Sequence, residues 1–260
     1  VDAVLEYQPV LVVGASLSLI AVAVAVSIVL KLGFEKQIVW ASFRAAVQLG
    51  IVGVLLALII RTKWESALSV VWVLAMIGIA SWVTSSRAGT RKILPASVVA
   101  IGTSTLLSLA VIFGFGVLPF EPIQVIVVAG ITIGNTLPST VVAADQVRKQ
   151  FTEHRLRIEG LLALGLDAKQ SSLFVVREAT RVAILPQIER TKVVGLVALP
   201  GAMTGLLIAG VSPIDAVVIQ LIVMFLVLGT VAVSATVVAV VTARNSFTAD
   251  QRLTEASGEW

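Results

Sequence analysis

Apolar residues fall along this chain in long runs. Seven runs are long enough to cross a hydrocarbon core of ~30 Å, which takes about 20 helical residues. They cover 9–30, 38–60, 67–86, 96–117, 123–144, 193–211 and 214–242. The last is long enough to tilt within a bilayer or to project beyond it. The pattern predicts an all-α polytopic membrane protein with about seven transmembrane helices. Small residues at Ala21, Ala23 and Ala25 give the first run some look of a signal peptide. Its leader carries Asp2 and Glu6 with no basic residue, and its apolar stretch exceeds a normal signal core, so a retained span is expected.

Composition narrows the class further. Of 260 residues, 58% are apolar and 13% charged, with a mean hydropathy of +1.03. A soluble domain needs roughly 25% charged residues to cover its surface. Cysteine is absent, which excludes disulfides, thiolate metal sites and cysteine nucleophiles. His154 stands alone, so no histidine cluster forms. The net charge of +4 would suit nucleic acid only if it formed a basic face on a soluble fold.

The positions of the basic residues argue otherwise. With seven spans, sixteen of the nineteen lie on one side of the membrane: Lys31, Lys36, Arg87, Arg91, Lys92, nine within 145–192, Arg244 and Arg252. Arg61 and Lys63 lie on the other side, with Asp2, Glu6, Glu65, Glu121 and Asp215, and Arg44 sits inside a span. The positive-inside bias then predicts an external amino terminus and a cytoplasmic carboxyl terminus. Positive charge here reads as topology, and no nucleic-acid partner is expected.

One connection is long. Segment 145–192 holds nine basic residues and has a helical pattern. A helix over 151–164, with apolar Leu156, Leu161 and Leu164, is expected to close at Gly165 in a left-handed conformation. Asp167 with Gln170 three residues later forms a capping-box pattern, predicting a second helix over 168–185 that stops at Pro186. Arg177 and Arg181 share one face of that helix, with Glu178 and Glu189 nearby. They read either as a solvated face with ordinary ion pairs or as a docking surface for a cytoplasmic partner.

Polar residues and helix breakers within the spans are the candidates for a transport path. Pro138 and Pro200 each lie deep in an apolar run, beside Gly130 with Gly134 and Gly201 with Gly205. Interrupted helices can line substrate sites, and equally they can be kinks sealed by neighbouring helices. Asn135, Thr136, Ser139 and Thr140 would be costly in lipid and should face the bundle interior. Met203 and Thr204 follow Pro200, and Gln220 lies one turn from Met224. Methionine there reads as packing before it reads as a metal ligand. Arg44 either snorkels to headgroups or, with Gln48 one turn deeper, faces a dimer seam or vestibule. No Gly-x-x-x-x-Gly-Lys-Ser/Thr loop occurs, so ATP-driven work would need another chain.

Two resemblances sharpen this. Glu159-Gly160, Gly165 and Ile184-Leu185-Pro186 resemble the cytoplasmic coupling motif of ABC permeases; the Glu-to-Gly spacing matches, the alanines differ and the Leu-Pro element comes later. The segments Arg44-Ala45-Ala46-Val47-Gln48-Leu49, Gly134-Asn135-Thr136-Leu137-Pro138-Ser139-Thr140 and the stretch 188–205 resemble the FetB family, metal-export ABC permeases related to plant aluminium-tolerance permeases. The likeness extends over nearly the whole chain.

It implies a single transmembrane permease domain over 1–260 with a coupling insertion at 145–192, in the plasma (inner) membrane. It further implies a homodimer working with a separate nucleotide-binding ATPase that holds ATP and magnesium, with no enzyme activity or cofactor on this chain. Glu159, Gly165, Arg177, Arg181 and Pro186 would couple to the ATPase. Arg44, Gln48, Asn135, Thr136, Ser139, Met203, Thr204 and Gln220 would line the path, with breaks at Pro138 and Pro200. Iron-like ions prefer hard oxygen ligands, yet no span has a central Asp or Glu. A complexed ion, a nucleotide sugar or another small polar solute therefore stays open, as do an ATPase-free secondary transporter or pore and a membrane scaffold.

Overall fold

The computed structural model describes residues 9–60, 62, 64–196, 199–248 and 250–254. These form nine α-helices and no strand. Arg61 and Lys63, which the charge argument placed opposite the basic side, and the leader residues Asp2 and Glu6 lie outside the described residues. The chain divides into two compact units, one comprising 1–65 with 208–210, the other 66–207 with 211–260.

In the first unit, α1 (Pro9–Val29) and α2 (Glu35–Ile60) pack as a helical hairpin. The reversal is closed by Ser27, whose hydroxyl accepts from the Phe34 amide at 3.1 Å and donates to the Glu35 carboxylate at 3.3 Å.

The second unit is built from α3 (Glu65–Arg87), α4 (Leu94–Gly114), α5 (Pro122–Glu153), α6 (Arg155–Ala163), α7 (Ala168–Val193), α8 (Gly201–Ile208) and α9 (Pro213–Asn245). α5 and α9 run parallel, because Thr140 meets Ser234 at 2.7 Å and, further along, the Phe151 ring stands edge-on to Phe247 at 5.6 Å. α4 runs antiparallel to α5. Its Ser108 accepts from Thr132 at 2.9 Å, while Ala96, near its start, packs with Ala143 and Ala144. Several other buried hydroxyls back-bond to their own helix, as Thr84 does to the Ala80 carbonyl. Small and hydroxyl-bearing residues thus replace large apolar ones at the contacts, as helix association in lipid favours.

Ala88, Ala96, Ala144, Ala183 and Ala235 meet in one buried layer. From there to the first residues of α3, α5 and α9 is about 22 residues each, or ~33 Å at 1.5 Å per residue, close to a hydrocarbon thickness. Beyond it, α5 and α9 project as a stalk, packed with α6 and α7 around Val147, Phe151, Ile158 and Val175. Arg87, Arg91, Lys92, Arg148 and Lys149 gather near this layer, which marks the basic end of the unit.

Five helical segments are long and apolar enough to span: Glu35–Ile59, Glu65–Arg87, Arg91–Gly114, Pro122–Glu153 and Pro213–Asn245. The protein is therefore an all-helical integral membrane protein. Three expectations are corrected. The run 193–211 is no single spanning helix, since only Gly201–Ile208 is helical there and eight residues rise ~12 Å. Pro200 stands just before α8, where its carbonyl accepts from the Thr204 amide at 3.0 Å, so it starts a helix rather than kinking one. Pro186 does not stop α7, which runs seven residues further because Ala179, Ala183 and Ile184 hold its flank on the bundle. Gly195, with φ +87°, closes it instead.

Candidate transport path and coupling corner

Helix α5 carries a polar cluster, Asn135, Thr136, Ser139 and Thr140, within its apolar run. Pro138 lies inside it without ending it. Thr136 and Thr140 are buried, Asn135 and Ser139 half-buried, and Pro138 faces outward. Asn135, Thr136 and Thr140 are satisfied within α5 or by α9. Asn135 donates to the Ile131 carbonyl at 2.7 Å, Thr136 to Ile133 at 3.2 Å, and Thr140 to Thr136 at 2.8 Å while meeting Ser234. The interior placement expected for Thr136 and Thr140 is what the structure shows. Close glycine packing is not: among the described residues nothing lies within 4 Å of a Cβ built on Gly134, Gly201 or Gly205, and Gly130 meets only the Met76 side chain at 3.6 Å.

The other pathway candidates are dispersed. Gln220 is 8% exposed on α9, and its Oε1 has no hydrogen-bond partner. With Thr140 level with Ser234, Gln220 sits level with residue 126 on α5, about nine residues or ~14 Å from Asn135. The structure does not bring those two together. Met203 is half-buried and Thr204 exposed on α8, where the Thr204 hydroxyl donates back to the Pro200 carbonyl at 3.2 Å. Arg44 and Gln48 are exposed on α2, one turn apart on one face and to one side of the stripe that includes Ile38, Ser42 and Ile59. No three His, Cys, Asp or Glu side chains gather among the described residues in a way that could hold a metal ion.

The coupling candidates sit on the stalk. α5 continues to Glu153, so the helix expected over 151–164 is split at His154, and only 155–163 forms the separate helix α6. Gly165 takes φ +90° and turns the chain, as its position after that helix predicted. Asp167 then caps α7, its carboxylate accepting from the Gln170 amide at 2.6 Å while the Gln170 side chain accepts from the Asp167 amide at 3.3 Å. Fully buried Ile158 anchors α6 to the stalk. On the α7 side Phe174 takes the Arg157 guanidinium at 4.2 Å over its face and the His154 ring at 5.6 Å on its edge. Glu159 pairs with Arg155 at 2.9 Å.

With Ile158 inward, Leu156 and Leu164 are left outside, at 85% and 79% exposure. These two leucines stand at the tip of the corner among Arg155, Arg157 and Glu159. Arg177 and Arg181 are exposed further along α7, about 14 and 20 Å from its first residue, so they flank the stalk instead of joining the tip.

One part of this region had no signal in the hydropathy pattern. After α9 the chain turns at Phe247 and hooks back through Leu253, both packed on the stalk cluster, and the Gln251 side chain accepts from the Ala168 amide at 3.3 Å. The hook ties the end of α9 to the start of α7.

A family model described as "Uncharacterised protein family (UPF0014)" matches residues 10–247. The "Probable iron export permease protein FetB" of Escherichia coli (strain K12) is 33% identical over 239 residues, covering 92% of each chain. "UPF0014 membrane protein STAR2" of Oryza sativa subsp. japonica is 35% identical, over 85% of this chain and 77% of its own. "Protein ALUMINUM SENSITIVE 3" of Arabidopsis thaliana is 31% identical, over 85% of this chain and 81% of its own. No solved structure is significantly similar.

Proposed function

The chain belongs to the UPF0014 family of membrane proteins, and on that basis we propose that it is the permease subunit of an ABC transporter that exports an iron-like metal ion. ATP is hydrolysed on a separate nucleotide-binding subunit, two copies of which serve a homodimer of this chain in the plasma membrane. The basic end faces the cytoplasm, in keeping with the positive-inside bias.

The corner formed by α6, Gly165 and the start of α7 carries this reading. It exposes Leu156 and Leu164 well beyond the membrane layer, while Ile158 and the Phe174 contacts make it rigid against α5, α7 and α9. A partner that grips the corner moves the stalk, and the stalk is continuous with two spanning helices. Arg177 and Arg181 offer the same partner a cationic flank. The name of the Escherichia coli relative supports the cargo class.

The test is reconstitution in liposomes with the matching nucleotide-binding subunit. Wild-type vesicles are expected to show ATP-dependent flux of ferrous or manganous ion, and the permease alone no ATPase activity. The double reversal Arg177→Glu with Arg181→Glu is expected to cut ATP-driven flux at least about tenfold; full turnover in that variant removes the docking role of the flank. Flux that persists without any ATPase would make the protein a secondary transporter or pore.

A further inference from the structure

The charged end of α7 has no role in the reading above. Ala183 belongs to the layer at the basic boundary of the bundle. The first fifteen residues of α7 bring the chain back from the tip of the stalk to that layer, and its last ten continue past it by ~15 Å, half of a hydrocarbon core. The half-buried stripe continues in step, through Ile184, Gln187, Thr191 and Val194 at intervals of three or four, so this part stays against the bundle instead of swinging into solution. Glu189 and Lys192 therefore stand ~9 and ~14 Å inside the boundary. They pair at 2.9 Å with side chains 56% and 62% exposed. Exposed charges at that depth need water or a charged ligand around them, not lipid.

The backbone beyond them is open. α7 ends at Val193, Val194 is extended, Gly195 turns left-handed, and helix resumes only at Gly201. The crossing that hydropathy drew as one helix is thus broken at Val194 and Gly195. The last carbonyls of α7 have no donor within the helix, and they carry the negative end of its dipole. Among the described residues of the second unit Glu189 is the one carboxylate at this depth, beside the exposed cations Arg190 and Lys192, since Glu65, Glu121 and Asp215 lie at the starts of α3, α5 and α9.

We propose that the end of α7 is a cation station on the transport path. A hard metal cation displaces the Lys192 ammonium from the Glu189 carboxylate and takes oxygen from Glu189, water and the freed carbonyls of the last turn. The displaced ammonium is the returning counter-charge that empties the station. A single carboxylate binds loosely, which suits a site that must release its ion. α7 runs as one helix from the coupling corner to Lys192, with Pro186 inside it, so partner movement at Asp167 is carried towards the station along a continuous element. The proposal rests on the permease reading for its direction and energy source, and on the geometry alone for its location.

The absence of cysteine makes the location directly testable. Glu189→Cys and Arg177→Cys are placed singly in the full chain in liposomes. The thiol at position 189 is expected to report hydrocarbon depth by lipid-borne quenchers of an attached fluorophore. It is also expected to react with a membrane-impermeant aqueous thiol reagent, while position 177 reports the aqueous side. Equal aqueous depth at both positions overturns the proposal, as does a lipid-embedded, unreactive thiol at 189.

In the complex with the nucleotide-binding subunit, Glu189→Gln is expected to lower manganese flux at least about tenfold with the ATPase still bound, Glu189→Asp to restore part of it, and Lys192→Gln to shift the half-saturating manganese concentration downward. Wild-type flux in Glu189→Gln overturns the station. Transport of an anion chelate instead of free manganese, unchanged by Glu189→Gln, also overturns it. Failure of the wild-type complex to transport at all sinks the permease reading, while the depth and reactivity of position 189 are still read from the chain alone.

Discussion

α2 and α4 are equally apolar, yet they are treated very differently by the fold. The spanning window of α2 is 6% buried and that of the α4 segment 44%. Hydropathy is the same, so it cannot be what selects a buried helix. What differs is the repeat of small and hydroxyl-bearing side chains that neighbours accept: on α4, Ala96, Ala100, Ser104 and Ser108 recur every fourth residue and are all buried. α2 has small residues at a similar spacing, at Ala41, Ala45, Gly53 and Ala57, but all four are exposed, and its one hydroxyl, Ser42, bonds back to the Ile38 carbonyl of its own helix at 2.9 Å. In lipid no hydrophobic force drives helices together, so packing and hydroxyl pairing decide which helix becomes core.

The strongest way to break this comparison is overpacking. Ala100→Leu, at a fully buried position of α4, is expected to cost about 1–3 kcal/mol, while Ala46→Leu on α2 is expected to change stability by less than ~0.5 kcal/mol. Unfolding in mixed micelles measures both, and equal effects would mean that α2 is as tightly packed as α4 in the membrane. A smaller effect is expected on the stalk. Phe247→Ala removes the edge-to-face contact with Phe151 and should cost about 1–2 kcal/mol, with faster proteolysis after residue 245 as its signature.

Asp167→Ala removes the cap of α7 and is expected to cost about 1 kcal/mol, read as lost amide protection confined to the first turn of α7. The smallest effect sharpens the lesson about hydroxyls. A double-mutant cycle of Thr140→Val with Ser234→Ala is expected to give a coupling of about 0.6 kcal/mol. A coupling near zero would leave shape alone holding α5 to α9.

Some of this was legible residue by residue. Gly165 and the Asp167–Gln170 box act through atoms within four residues of each other, and both formed as their spacing required. Pro186 misled because its intrinsic cost of ~3 kcal/mol is a local term. It was outweighed by contacts of Ala179 and Ala183 with helices distant in sequence. Pro200 misled in the opposite sense, since a proline before a helix and one inside it look alike in an apolar run. Glu189 was visible only as a member of a charged insertion, and nothing in its neighbours announced its depth. The hook from Phe247 to Leu253 was hidden for the same reason, its partners lying on α5, α6 and α7.

The chain by itself determined that the protein is a helical membrane protein, where most of its spanning segments run, where its helix caps stand, and that one charged insertion interrupts the spans. These follow from transfer free energies and bonds between residues close in sequence. Only the tertiary structure decided which apolar helices are buried, that the sixth run is broken between Val193 and Gly201, and that α7 carries a carboxylate past the boundary layer. Those depend on the register between α5, α7 and α9, set by alanine and hydroxyl contacts between residues as far apart as Thr140 and Ser234. No local pattern encodes such a sum of weak, long-range terms.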